Sequence, residues 1–581
     1  MYARYTLLIV FLLALPVALA AAEPVPYQPQ GAPADPKVAA RWNKFHDYQE
    51  SVEILQQLAK AFPKHAKLQS LGPTYGKREM WLLTISDFEH GDADKKPAYW
   101  IDGAIHANEI QATEVVLYTA WYLCEMKGRS DFVDRLLKER TFYLLPMMSP
   151  DSRDAHFYEP NTTHSPRGGQ RPVDDDRDGL IDEDKPDDLN GDGHITQMRV
   201  KDPNGRYKPH PEFPHLMVRV KEGEKGEYRL LGSEGIDNDG DGQVNEDGAG
   251  YYDPNRDWAW DWQPRYVQPG AHRYPFSLPE NRVVAEFIYQ HPNIGGAQSY
   301  HNAGGMILRG PGEKGRDYAA NDVAVYNTLG RQGEKLLPGY RYMHTGNDLY
   351  EVYGGEIDWW HECRGVFCFT NELFTPFNYF RSTDQHGGFF GSDEMQQTFN
   401  KYLLFDAGFV PWKEVDHPQY GKVEVGGATR NWVRQPPSFL LEEECHRNMA
   451  FTLYCADQLP LVKVQKVEVQ DLGGDLRQVT AIIENDRVCP TRSASDVRHK
   501  LTPPDEVRIQ GEGLQVLTGL TSNEPFFLSP KEQKRHPETI KLDAVPGRDV
   551  VYVRWLIKGP GNLKVEVQSI KGGSDQKTIE K

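Results

Sequence analysis

His106 and Glu109, in the run His106-Ala107-Asn108-Glu109, set an imidazole and a carboxylate three residues apart, where a strand-like run turns into a helical pattern. That spacing puts both side chains on one face of the entering turn. The pair could therefore hold a metal, or the glutamate could cap the helix beside a hydrogen-bonded histidine. With 19 histidines in 581 residues, about one such pair is expected by chance. A second copy, His156-Phe157-Tyr158-Glu159, runs into Pro160 and reads as structural. Further along stand Pro150-Asp151, Asn255-Arg256, His301, Tyr350 and Glu372. Arginine suits a carboxylate ligand, because its planar fork reaches both oxygens and stays charged. Glu372 closes an apolar run, where an ionised carboxylate is costly to bury without a partner. Asn281-Arg282, by contrast, reads as surface decoration.

The elements that must position these groups alternate. Residues 98–105, 141–145, 294–300 and 366–370 read as strands, while 109–126 and 279–290 carry apolar residues at helical spacing. This is an α/β pattern. In open α/β sheets, sites form beyond the carboxyl ends of strands, which is where His106, Pro150 and His301 fall.

Taken in order, these segments resemble the zinc metallocarboxypeptidases of the carboxypeptidase A/B type, and the likeness extends over roughly residues 38 to 460. It implies a mixed central sheet flanked by helices and one Zn²⁺ held by His106, Glu109 and His301. It also implies that Asn255 and Arg256 grip the terminal carboxylate of a peptide or protein substrate. The strongest likeness is the stretch from Tyr350 through Gly354-Gly355-Glu356-Ile357-Asp358-Trp359 to Glu372, which keeps the family's register without a gap. Tyr350 then stands as the site tyrosine, Ile357 as the floor of the pocket for the C-terminal side chain, and Glu372 as general base. The family's carbonyl-polarising arginine falls in a stretch where this chain departs from the pattern. Arg167 is preferred for it, with Arg171 and Arg199 as alternatives. A second departure is Asn302-Ala303-Gly304 after the histidine, where the family often has Ser-Tyr. Two rival readings are a cell-wall (murein) peptide hydrolase of the same fold and a non-catalytic, calcium-dependent binding protein.

Between about residues 160 and 250 the pattern lapses into an acidic insertion. Asp174, Asp176 and Asp178 precede Gly179, and Asp237, Asp239 and Asp241 precede Gly242, on one shared template. Asp188, Asn190 and Asp192 form a shorter copy. Oxygen ligands at alternate positions followed by a glycine suit Ca²⁺, although Lys185, Arg199 and Gly248 stand where an EF-hand has its bidentate glutamate.

With 39% hydrophobic residues, the chain can bury a large core. A net charge of -18 argues against nucleic acid or an anionic membrane as partner. Residues 1–22, with Arg4, an apolar run at 7–15 and small residues at 18–22, read as a cleaved signal for a secreted or periplasmic protein. In an exported chain, Cys363 with Cys368 and Cys445 with Cys455 are candidate disulfides. From 461 to 581, period-two runs at 462–469, 551–555 and 563–567 predict a small all-β sandwich.

Overall fold

The computed structural model describes residues 30–174, 178–250, 252–375, 377–381, 391–431 and 433–580; the expected signal segment lies outside them. Strands β1 (Ala66–Pro73) and β2 (Glu79–Ile85) form a hairpin, followed by β3 (Ala98–Gly103) and β4 (Thr141–Leu145), in both of which every residue is buried. The acidic insertion supplies β5 (Gln197–Lys201), β6 (Tyr207–Pro209), β7 (Met217–Arg219) and β8 (Tyr228–Ser233). Next come β9 (Ile294–Asn302), β10 (Met306–Arg309), β11 (Arg341–His344) and β12 (Phe367–Leu373).

Among the described residues, the central sheet has eight strands in the order β1-β2-β4-β3-β9-β12-β10-β11. Neighbours β4, β3, β9 and β12 run parallel, whereas the pairings of β1 with β2, β2 with β4 and β12 with β10 are antiparallel. The sheet is therefore mixed, as the family likeness implies. Its parallel centre is buried almost throughout because helices cover both faces. On one face, helix α1 (Tyr48–Ala61), helix α2 (Gln111–Met126) and the helix Ser438–Asp457 share a core with Ile101, Leu144, Tyr300 and Phe369. Fourteen of the sixteen residues of α2 are buried, so this helix is enclosed nearly all round. On the other face, Trp100, Val284, Ile288, Trp359 and Trp360 pack together.

The insertion is more ordered than its composition predicts. Strands β5 to β8 join 409–417 and 421–428 in a second sheet. Its apolar content is small, with Met198, Val423 and Val425 at the centre, so it gives little periodic signal. The last 120 residues form two antiparallel sheets around Val479, Val507, Val553, Trp555 and Val565. All six cysteines are free thiols, which overturns both expected pairs. Cys445 and Cys455 lie ten residues apart on one helix, a rise of about 15 Å that no disulfide spans.

Candidate active site

Strand β3 stops at Gly103, and the chain turns through His106 into α2. Glycine is required at this stop, since a Cβ on residue 103 would come within 2.9 Å of the Ala112 backbone. The sharp turn aims His106 and Glu109 at the end of the neighbouring β9, where His301 sits. His106 Nδ1 lies 3.1 Å from Glu109 Oε1 and 3.0 Å from His301 Nδ1, and His301 Nδ1 lies 2.9 Å from Glu109 Oε2. All three side chains are buried. Burial alone would raise the Glu109 carboxyl, but the charges of His106 and His301 outweigh it and hold it well below the usual range.

Two imidazole nitrogens facing each other beside a carboxylate suit a cation between them. The far nitrogen of His106, Nε2, lies 2.8 Å from Asp253 Oδ1. With a zinc ion bound, a carboxylate there would hold the proton on Nε2 and leave the Nδ1 lone pair to the metal. Asp253 is suited to that work: burial would raise it, yet Arg256, His106 and Arg167 together hold it well below the usual range. The donor set fits Zn²⁺.

Glu372 stands in β12 directly opposite His301. Burial, and then the charge of Glu109, push it up to about 7, while His301, Arg167 and Arg434 pull the other way. Arg167 reaches the cluster with Nη1 3.1 Å from Glu109 Oε1 and Nε 3.3 Å from Asp253 Oδ2. The alternatives do not come there. Arg199 pairs with Glu424 and lies between the rings of Tyr228 and Trp412 in the second sheet, and the charge of Arg171 acts on His272 and Glu280.

Asn255 and Arg256 lie on a short turn, Pro254–Arg256, capped by the Asp253 side chain. Asn255 Oδ1 accepts from the Glu356 amide at 2.9 Å, tying the turn to the helix Glu356–Arg364. Gly354 packs on the turn in a left-handed conformation, and a Cβ there would meet the Arg256 carbonyl oxygen at 2.8 Å. Tyr350 is half-exposed at the rim, within the field of Arg256, Glu372 and Arg167. Ile357 is buried in the apolar cluster with Met306, Leu308 and Trp359.

Two further residues were not legible as members of this region. Asn281, expected on the surface, is fully buried and donates to the Pro254 carbonyl at 2.7 Å, bracing the Asn255-Arg256 turn from below. Arg434 donates to the Asn302 carbonyl at 2.6 Å and lies 3.4 Å from Glu109 Oε1. No motif surrounds it, and its partner Glu109 is 325 residues away in sequence. The second histidine pair is structural: His156 Nδ1 bonds the Ser165 carbonyl, and Glu159 merely ends its helix.

In the insertion, Asp237, Asp239 and Asp241 converge. Asp188 accepts from the backbone of residues 191, 192 and 193, and Asn190 from that of Asp192; Asp237, Asp239 and Asp241 accept local N–H groups in the same pattern, so what distinguishes them is their convergence. Asp192 accepts from His194, and Asp178 from Leu180. Asp174 is described but joins no three-residue cluster, and Asp176 lies outside the described residues.

Residues 51–175 and 238–387 match the zinc carboxypeptidase family. Residues 461–580 match a domain of unknown function (DUF8731). Carboxypeptidase B of Astacus astacus is 36% identical over 110 residues, which are 19% of this chain and 34% of that protein. Carboxypeptidase D of Mus musculus is 30% identical over 128 residues, 22% of this chain and 9% of that one. The chain thus spans about a third or less of these relatives. Among solved structures, thrombin activatable fibrinolysis inhibitor is 15% identical with a TM-score of 0.44, covering 73% of this chain and 79% of its own.

Proposed function

We propose that this protein is an exported, zinc-dependent carboxypeptidase that hydrolyses the last peptide bond of peptides or proteins and favours apolar C-terminal residues. The observation that carries the reading is the convergence of His106, Glu109 and His301 beside Glu372, which faces His301 from the adjacent strand.

His106 and His301 through Nδ1, and Glu109 through its carboxylate, would hold the zinc. Bound there, zinc supplies a Lewis acid that polarises the scissile carbonyl and acidifies the attacking water. Glu372 takes a proton from that water and delivers it to the leaving amine. A carboxylate at about 7 is matched to that exchange near neutral pH. Arg167 offers guanidinium N–H groups to the developing oxyanion. Arg256, with Asn255 and Tyr350, receives the free terminal carboxylate, which restricts cleavage to the chain end.

Specificity follows from what lines the side-chain pocket. Ile357 brings no charge, and Glu356 is turned away into the core, where Trp360 Nε1 and Ser299 Oγ donate to it at 2.8 and 3.3 Å. A terminal lysine or arginine would lose its water there without compensation, whereas an apolar side chain gains about 0.8 kcal/mol per buried methylene. Export is supported by the apolar run at 7–15 and the small residues behind it. Among the described residues no helix is long and apolar enough to cross a membrane.

Two peptides identical except for a free or an amidated C-terminus test the reading by mass spectrometry. Release of one residue from the free acid alone is expected. Equal cleavage of both, or cleavage at internal bonds, would contradict it.

A further inference from the structure

We propose that the insertion holds a calcium-class divalent cation at a site shared by its two longer acidic loops, with Asp237, Asp239, Asp241 and Glu246 from the second loop and Asp184 from the first. The carboxylate oxygens of Asp184, Asp239 and Glu246 lie within 4.8 Å of one another, as do those of Asp237, Asp239 and Asp241, so Asp239 joins both groups.

Asp184 is the residue that makes this more than an acidic surface. It is 0% exposed. Its Oδ1 accepts from Asn238 Nδ2 at 3.1 Å, but its Oδ2 has no hydrogen-bond partner. Both oxygens of Glu246 are likewise buried without one. Carboxylates brought together in this way repel each other and have lost their water, an arrangement that persists only with a proton or a cation between them. Burial, and then the Asp184 carboxyl, push Glu246 up to about 7.

The pairing follows a rule. In the template that begins at Asp174 and again at Asp237, Glu183 and Glu246 occupy position ten, and Asp184 and Asp247 position eleven. Asp184, the eleventh residue of the first loop, meets Glu246, the tenth of the second. Reciprocally, Asp247 meets Glu183. Each loop thus lends its eleventh residue to the other. An EF-hand glutamate at position twelve is absent because this exchange supplies the missing oxygen ligands instead. Five carboxylates without a nitrogen or sulfur donor suit a hard cation, and calcium accepts the six to eight irregularly placed oxygens that such loops offer. A cation there would clip together segments 54 residues apart, between which β5 to β8 are strung.

The test uses the full chain with zinc kept saturating. Calcium is removed and CaCl₂ titrated back, with calorimetry and thermal melting as readouts. Saturable heat and a rise in melting temperature of at least about 3 °C at millimolar calcium are expected. Asp184→Asn and Glu246→Gln should lose most of that rise, yet in calcium-free buffer melt no lower than the wild type, since each removes one charge from a self-repelling cluster. Absence of heat and shift in the wild type, a full shift in both variants, or variants that melt below the wild type without calcium would each overturn the proposal.

Discussion

Glu372 and His301 are register partners, directly opposite one another on the parallel strands β12 and β9. Backbone hydrogen bonding therefore fixes the separation between the proposed base and a proposed zinc ligand. Because Glu372 sits beside the His106-Glu109-His301 group without belonging to it, its two possible roles separate by mutation. Glu372→Gln should retain zinc and substrate affinity while turnover falls ~10²–10⁴-fold. Metal analysis with steady-state kinetics checks this; a zinc-free variant, or one keeping more than about a tenth of the rate, refutes the role.

Asn281 gives a prediction of a different kind, because it touches the turn and not the substrate. Asn281→Ala leaves the buried Pro254 carbonyl without its donor, at a cost of about 1–3 kcal/mol. Urea unfolding should register that loss. KM should rise more than kcat falls, as the loosened turn carries Arg256. An unchanged KM would show that the turn is rigid without its brace.

The pocket prediction compares kcat/KM on peptides that differ only in a terminal Phe, Leu, Lys or Glu. Phe and Leu should be released fastest. Faster release of Lys would mean that Glu356 leaves its core partners to face the substrate.

Glu356 also predicts a pH effect. It is buried against Asp102, and Ser299 Oγ lies 2.8 Å from an Asp102 oxygen and 3.3 Å from a Glu356 oxygen. Burial first, and then the Asp102 charge, raise Glu356 well above the usual range, and burial holds Asp102 at about 6. In the unfolded chain both titrate near 4. From about pH 4 upward the unfolded state therefore gives up protons that the folded state keeps, and stability falls as pH rises through that window. Glu356→Gln should flatten this fall, as measured by chemical unfolding between pH 5 and 8. Superimposable profiles would remove the pair from the account.

What the sequence displayed and what it concealed divide along a physical line. His106, Glu109, His301 and Glu372 are legible because each is tied to the end of an apolar strand, and strand ends are where a parallel sheet gathers side chains. The sheet itself shows for the same reason, in the buried runs of β3, β4 and β9. Arg434 and Asn281 carry no such marker, since each acts through a contact with a distant segment that leaves no local pattern. The acidic loops reveal their template but not their partnership. Asp184 looks like one more charge in a solvated run until the fold sets it against Glu246. The sheet from β5 to β8 is hidden because its strands are short and mostly polar, and two of its members arrive from beyond residue 400.

The most direct measurement strips the purified protein of metal, restores zinc in increments and follows release of C-terminal residues by mass spectrometry. Activity should disappear with the metal and return in proportion to zinc, reaching its maximum at about one ion per chain, with single residues leaving the C-terminus. Full activity in the stripped protein, or cleavage that starts within the peptide, would contradict the account.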